Sequence, residues 1–203
     1  MHDSVRTIFP MFTARFEGRV AWMYLDCKGL VTVGLGCLID PESTARGLPF
    51  KHKGTDTPAS PDEIGAEWEL VKGDQTLAKR GYQAAGKVTR LYLTSADIDA
   101  LATKRLDNFE QWMVKALPDF QTWPADAQLA TLSMCWAMGP GFVKTFKNWL
   151  GFAKEKDWTS CAKCCLMRTT GNVGLIPRNK INVKLFEAAA RTQEIDRLTG
   201  GIL

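Results

Sequence analysis

One short alternating run, Leu30-Val31-Thr32-Val33, lies between Lys28-Gly29 and Gly34-Leu35-Gly36. Alternation at period two with glycine on both sides predicts a strand in a tight hairpin. Most of the later chain instead repeats its apolar residues at three and four, the spacing of amphipathic helices. A small glycine-punctuated hairpin beside a helical remainder predicts an α+β fold. The hairpin also carries chemistry. Met11–Phe16 reads as a short helix closing on Glu17, Asp26 opens the hairpin nine residues later, and Thr32 follows six residues on. A helix-end glutamate facing a hairpin aspartate is the arrangement that glycoside hydrolysis needs. One acid protonates the leaving oxygen, and the other carboxylate activates water or stabilises positive charge.

Start and stop signals divide the rest. Ser60-Pro61-Asp62-Glu63 supplies an N-cap, a proline at the first helical position and acidic first-turn residues, predicting a helix over Asp62–Lys72. Thr94-Ser95-Ala96-Asp97 has the form of a capping box with Asp in place of Glu. It opens a helix striped by Ile98, Leu101, Ala102, Leu106, Phe109 and Met113, which Pro118 stops. Trp123-Pro124-Ala125-Asp126 starts a helix apolar nearly all round, hence buried, which Gly139-Pro140-Gly141 ends. Phe142–Ala153, Trp158–Arg168 and Asn179–Thr192 read as further helices, while Lys79–Leu93, with Gly81 and Gly86, gives no clear element.

At the hairpin the chain resembles the phage-type lysozymes of glycoside hydrolase family 24. Their pattern is a Glu, an Asp nine residues on, a Thr six further, then Thr-x-Gly-x-Gly; Glu17, Asp26, Thr32, Gly34 and Gly36 match it. Met134–Phe146 resembles the family's buried helix ending in Met-Gly with a Phe seven residues later. Gly174-Leu175 … Arg178 … Leu185-Phe186 resembles its late signature. The likeness covers about residues 11–42 and 92–190. It implies a lysozyme-like fold: one domain in which a hairpin lobe (1–93, with an insertion near 47–93) passes by a long helix to a helical lobe (94–203). Two positions depart. Cys37 stands where a His is common, and Ala137 where some members carry a polar substrate contact.

The resemblance implies an N-acetylmuramidase that hydrolyses the β-1,4 bond between N-acetylmuramic acid and N-acetylglucosamine with inversion, without a cofactor or metal. Glu17 would be the general acid, Asp26 the charge-stabilising and water-activating carboxylate, and Thr32 the hydroxyl that orients the water. A proton donor should lie in partly apolar surroundings, near Phe16 or Trp136. Arg178 would fix Glu17. Gly36, Trp136 and Arg168 are the candidate substrate contacts, Trp136 by stacking on a sugar and Arg168 by meeting anionic groups of the glycan. Each also has a plain reading: a solvated glutamate, a turn aspartate, a strand threonine, a core tryptophan, a surface arginine. The rival readings are a lytic transglycosylase, which needs the Glu without the water site, and a non-catalytic glycan-binding module. Only His2 and His52 are present, and neither sits in a Ser-His-Asp or Cys-His motif.

Charge is uneven. Lys144–Arg191 carries a net +7 and the remainder −3. Such a basic third suits a solvated helical face or an anionic polymer. With the resemblance, that polymer is peptidoglycan, not nucleic acid. No charged segment followed by an apolar core opens the chain, and Leu129–Phe142 is too short to span a bilayer, so no membrane insertion is expected. The expected life history is synthesis in the cytoplasm and action on the periplasmic or wall peptidoglycan of the target cell, as a phage lysis enzyme or an injected effector. An effector would add an immunity protein or a secretion component as partner. The six cysteines do not make a small secreted disulfide framework, and Cys161, Cys164 and Cys165 read as helical thiols rather than metal ligands.

Overall fold

A computed structural model describes residues 1–200. The fold is α+β, mostly helical, with a small antiparallel sheet. It comprises two compact units, one of Glu17–Arg105 and one of Met1–Phe16 with the chain from Leu106 onward.

The first helix, α1 (Asp3–Glu17), begins eight residues before the predicted start at Met11 and holds Pro10 inside it. Val5, Phe9 and Thr13 recur every four residues as its buried stripe. Gly18, at φ 70°, then leaves the helix in a left-handed conformation that costs glycine little.

In the unit of Glu17–Arg105, strands β1 (Val20–Leu25), β2 (Val31–Gly34) and β3 (Cys37–Leu38) pair antiparallel in that order. The hairpin at Leu30–Val33 is present, with Tyr24 opposite Thr32 and Leu25 opposite Val31. β1, a strand that the sequence pattern does not predict, carries an irregularity between Val20 and Tyr24. Met23 and Leu25 are buried while Trp22, Tyr24 and Asp26 are half-open. The 47–93 segment folds with this sheet. It holds β4 (Lys51–His52), α3 (Pro61–Gly73), α4 (Leu77–Arg80), α5 (Tyr82–Val88) and β5 (Leu91–Tyr92), after the short helix α2 (Glu42–Arg46). β4 pairs with β5, and both α3 and α5 pack on β1. Ser60 caps α3 in a full capping box with Glu63. Glu67, buried on α3, accepts from the Arg90 and Leu91 amides and so ties the helix to β5. Thr94 and Asp97 cap α6 (Ser95–Ala116) reciprocally, as their spacing predicts.

In the other unit, α7 (Ala125–Met138) is buried from Ala127 to Trp136 and ends at Gly139, φ 80°. The predicted helix over 142–153 is broken at Phe146 into α8 (Phe142–Thr145) and α9 (Lys147–Lys154). α10 (Trp158–Cys164) stops short of Arg168, and α11 (Leu175–Thr199) runs past both predicted ends. α7 and α10 pack on α11. Trp158 touches both Trp123 and Phe186, and Phe186 also meets Trp149. All six cysteines are free. No helix among the described residues is long and apolar enough to cross a membrane.

Candidate active site

Glu17 is the last residue of α1, and its carboxylate lies against the tight β2–β3 connection. A methyl group built on Gly36 would stand 2.9 Å from Glu17 Oε2. Gly36 also holds φ 71°. Two independent demands therefore fall on one position: a left-handed backbone and room for a carboxylate. The Gly36 carbonyl accepts a hydrogen bond from Arg105 Nη1 on α6.

Asp26 forms the hairpin turn. Its backbone N–H donates to Leu30 O at 3.0 Å, and its Oδ1 accepts from the amides of Lys28 at 2.8 Å and Leu30 at 2.9 Å. Oδ1 is thus committed to the turn, as an aspartate in this position often is. Thr32, only 4% exposed, donates from Oγ1 to Leu30 O at 3.1 Å. Asp26 and Thr32 are consequently anchored on the two peptide groups of one residue, Leu30. With its hydrogen directed at that carbonyl, the Thr32 hydroxyl meets anything else as an acceptor.

Tyr24 and Arg105 are the functional candidates that sequence reasoning missed. Tyr24 stands opposite Thr32 and on the same strand face as Asp26. Burial, then the negative charges of Glu17 and Asp26, push its phenol well above the usual tyrosine range, with Arg105 pulling the other way. It is a neutral hydrogen-bond donor at any working pH. Cys37, at the start of β3, is a buried thiol. Burial raises its pKa against the opposing pull of the Arg105 guanidinium that donates to it. A signal for Arg105 existed. It lies seven residues after Ile98, on the apolar stripe of α6.

The remaining candidates belong to the other unit. Arg178 is 1% exposed, so it is no surface arginine. Its Nη1 donates to Ser133 O at 3.2 Å and to Ser133 Oγ at 3.3 Å, and the guanidinium lies 4.5 Å from the ring centre of Phe16, the neighbour of Glu17 in the chain. Trp136 is 3% exposed, packed against Phe9 at 5.3 Å and edge-on to Phe109 at 5.9 Å. A sugar would reach it only if that packing opened. Arg168 is exposed in the irregular stretch after α10.

Glu17, Asp26, Thr32 and Gly36 therefore share one unit with Tyr24 and Arg105, and Trp136, Arg168 and Arg178 lie in the other. Among the described residues, no three His, Cys, Asp or Glu side chains are grouped to hold a metal. Compared with known proteins, the chain matches no protein-family model and no curated protein.

Proposed function

We propose that this chain is a lysozyme-like muramidase that cleaves the β-1,4 bond between N-acetylmuramic acid and N-acetylglucosamine in peptidoglycan. The observation that carries the reading is the set built around the hairpin. Glu17 is packed on Gly36, Asp26 and Thr32 are anchored on Leu30, and Tyr24 feels both carboxylates. In this mechanism Glu17 gives its proton to the bridging oxygen as the bond to the muramic C1 breaks. Water attacks C1 from the opposite face, which inverts the anomeric centre. The attacking water donates one hydrogen to Thr32 Oγ1, whose own hydrogen is held by Leu30. Its other hydrogen goes to Asp26 Oδ2, the oxygen outside the turn, and this leaves the water lone pair directed at the sugar.

A second reading rests on one observation. Asp26 Oδ1 and the Thr32 hydrogen are both committed to the hairpin itself, as they would be in a scaffold that has no water site. That is the lytic transglycosylase, in which the muramic 6-hydroxyl displaces the leaving group and an anhydro end results.

Glu17→Gln tests the mechanism. General acid catalysis contributes about 10²–10⁴-fold, so the variant should release muropeptides from purified sacculi at least a hundredfold more slowly. Wild-type release by Glu17→Gln would overturn both readings. Mass spectrometry of the wild-type digest separates them: reducing N-acetylmuramic ends support the hydrolase, anhydro ends the transglycosylase.

A further inference from the structure

The geometry points to an extra glycan subsite beside Asp26, built from Tyr24 and Tyr82, in which the ring of an amino sugar stacks on the exposed Tyr82. This inference rests on the muramidase reading and gives the 47–93 segment a task. β1 presents Trp22, Tyr24 and Asp26 on its half-open side, and α5 is laid directly onto that side. The fit is close. A methyl group on Gly86 would stand 2.6 Å from the Trp22 ring, so α5 approaches with bare backbone. Trp22 Nε1 donates to the Tyr82 carbonyl at 2.7 Å, which fixes the first residue of the helix. Lys53 lies 5.2 Å from the Trp22 ring centre and is itself held by the carbonyls of Gly86 and Thr89.

The result is a held aromatic corner. Tyr82 meets Tyr24 edge-on, centroids 6.4 Å apart at 69°, yet remains 47% exposed. A tyrosine fixed through its backbone and braced by a second ring, with half its surface open, has already given up its freedom of motion before anything binds. Tyr24 leads from this corner to Asp26, two residues on along the strand face, and to Thr32 opposite. The ligand that suits a rigid aromatic face, with the Tyr24 phenol and the Asp26 carboxylate further along the strand, is a pyranose. Its axial C–H groups lie on the ring and its hydroxyl or acetamido groups reach the polar atoms.

The test is binding of chitohexaose, measured by calorimetry in the Glu17→Gln background so that no turnover intervenes. Tyr82→Ala keeps the carbonyl that Trp22 uses and removes only the ring. An aromatic contact of this kind corresponds to about a three- to ten-fold change in Kd. Tyr82→Ala should therefore weaken binding by that factor, and Tyr82→Phe should stay within about two-fold of the parent. Equal affinity for Tyr82→Ala and the parent would overturn the subsite while leaving the muramidase reading to the sacculus assay. Weakened binding in a chain whose wild type releases no muropeptides would support the subsite and sink the catalytic reading. Failure of the Glu17→Gln parent to bind chitohexaose at all would overturn the subsite.

Discussion

Gly36→Ala separates the two demands placed on that residue. The first is conformational. An alanine at φ 71° incurs the left-handed penalty, about 1–2 kcal/mol. In a chain of this size that corresponds to a fall in Tm of about 2–8 °C. The second is positional. The new methyl would stand 2.9 Å from Glu17 Oε2 and 3.4 Å from the carboxyl carbon. Ordinary contact begins near 3.5 Å, so the carboxylate must retreat by about half an ångström. Catalytic groups tolerate about that much and no more, and a displacement of 1 Å can cost about a hundredfold. The expected result is a ten- to hundred-fold loss of muropeptide release from sacculi. Gly34→Ala is the control. It has the same kind of backbone, φ 67°, but its methyl would meet Ile98 Cγ2 at 3.3 Å instead of a carboxylate. Its Tm should fall comparably and its rate should change little. The reasoning is refuted if Gly36→Ala turns over as fast as Gly34→Ala.

Two further outcomes follow from buried titratable groups. Burial raises the Glu67 pKa above that of the unfolded chain, against the pull of its two amide donors. The folded state therefore holds the Glu67 proton more tightly. The associated stability is complete below the ordinary glutamate pKa and lost as pH rises through the folded value. Wild type should accordingly lose Tm relative to Glu67→Gln as pH rises above the ordinary glutamate pKa; a difference that is flat or of opposite slope would contradict this. Burial likewise pushes the Cys165 thiol up to about 12 and the Cys161 thiol well above its usual range, whereas Cys27 is exposed. A thiol reagent at pH 8 should label Cys27 at once and these two only on unfolding, with labelling at comparable rates as the contrary result.

Local signals were legible where a single interaction decides the structure. Ser60 with Glu63 and Thr94 with Asp97 close hydrogen-bonded boxes between residues three apart, and both helices begin there. The glycine-bounded run at Leu30–Val33 marked the hairpin for the same reason. What was not legible depends on partners distant in sequence. Pro10 is tolerated in α1 because the stripe of Val5, Phe9 and Thr13 is buried, and burial outweighs one lost hydrogen bond. Strands β4 and β5 are two residues each, and they pair across about forty residues, aided by a carboxylate on α3. No window of local sequence contains that information.

The two arginines show where the site could have been read further. A cation on the apolar side of a helix is costly to desolvate, and it persists only with partners. Arg105 lies on the stripe of α6 and directs its guanidinium at the Gly36 carbonyl, the backbone against which Glu17 is packed. Arg178 is buried on α11, bonded to Ser133 and laid over Phe16, the residue before Glu17. One arginine fixes the loop that Glu17 touches, and the other bears on the residue that precedes it in α1. If Glu17 is the proton donor proposed above, Arg105 is the cation that holds the Gly36 backbone beside it, and a fixed surrounding is what meeting a glycosidic oxygen in one orientation requires. A basic residue at an apolar helix position is therefore a sequence signal in its own right. By that rule the stripe from Ile98 to Phe109 nominates Arg105 from the spacing of its residues alone.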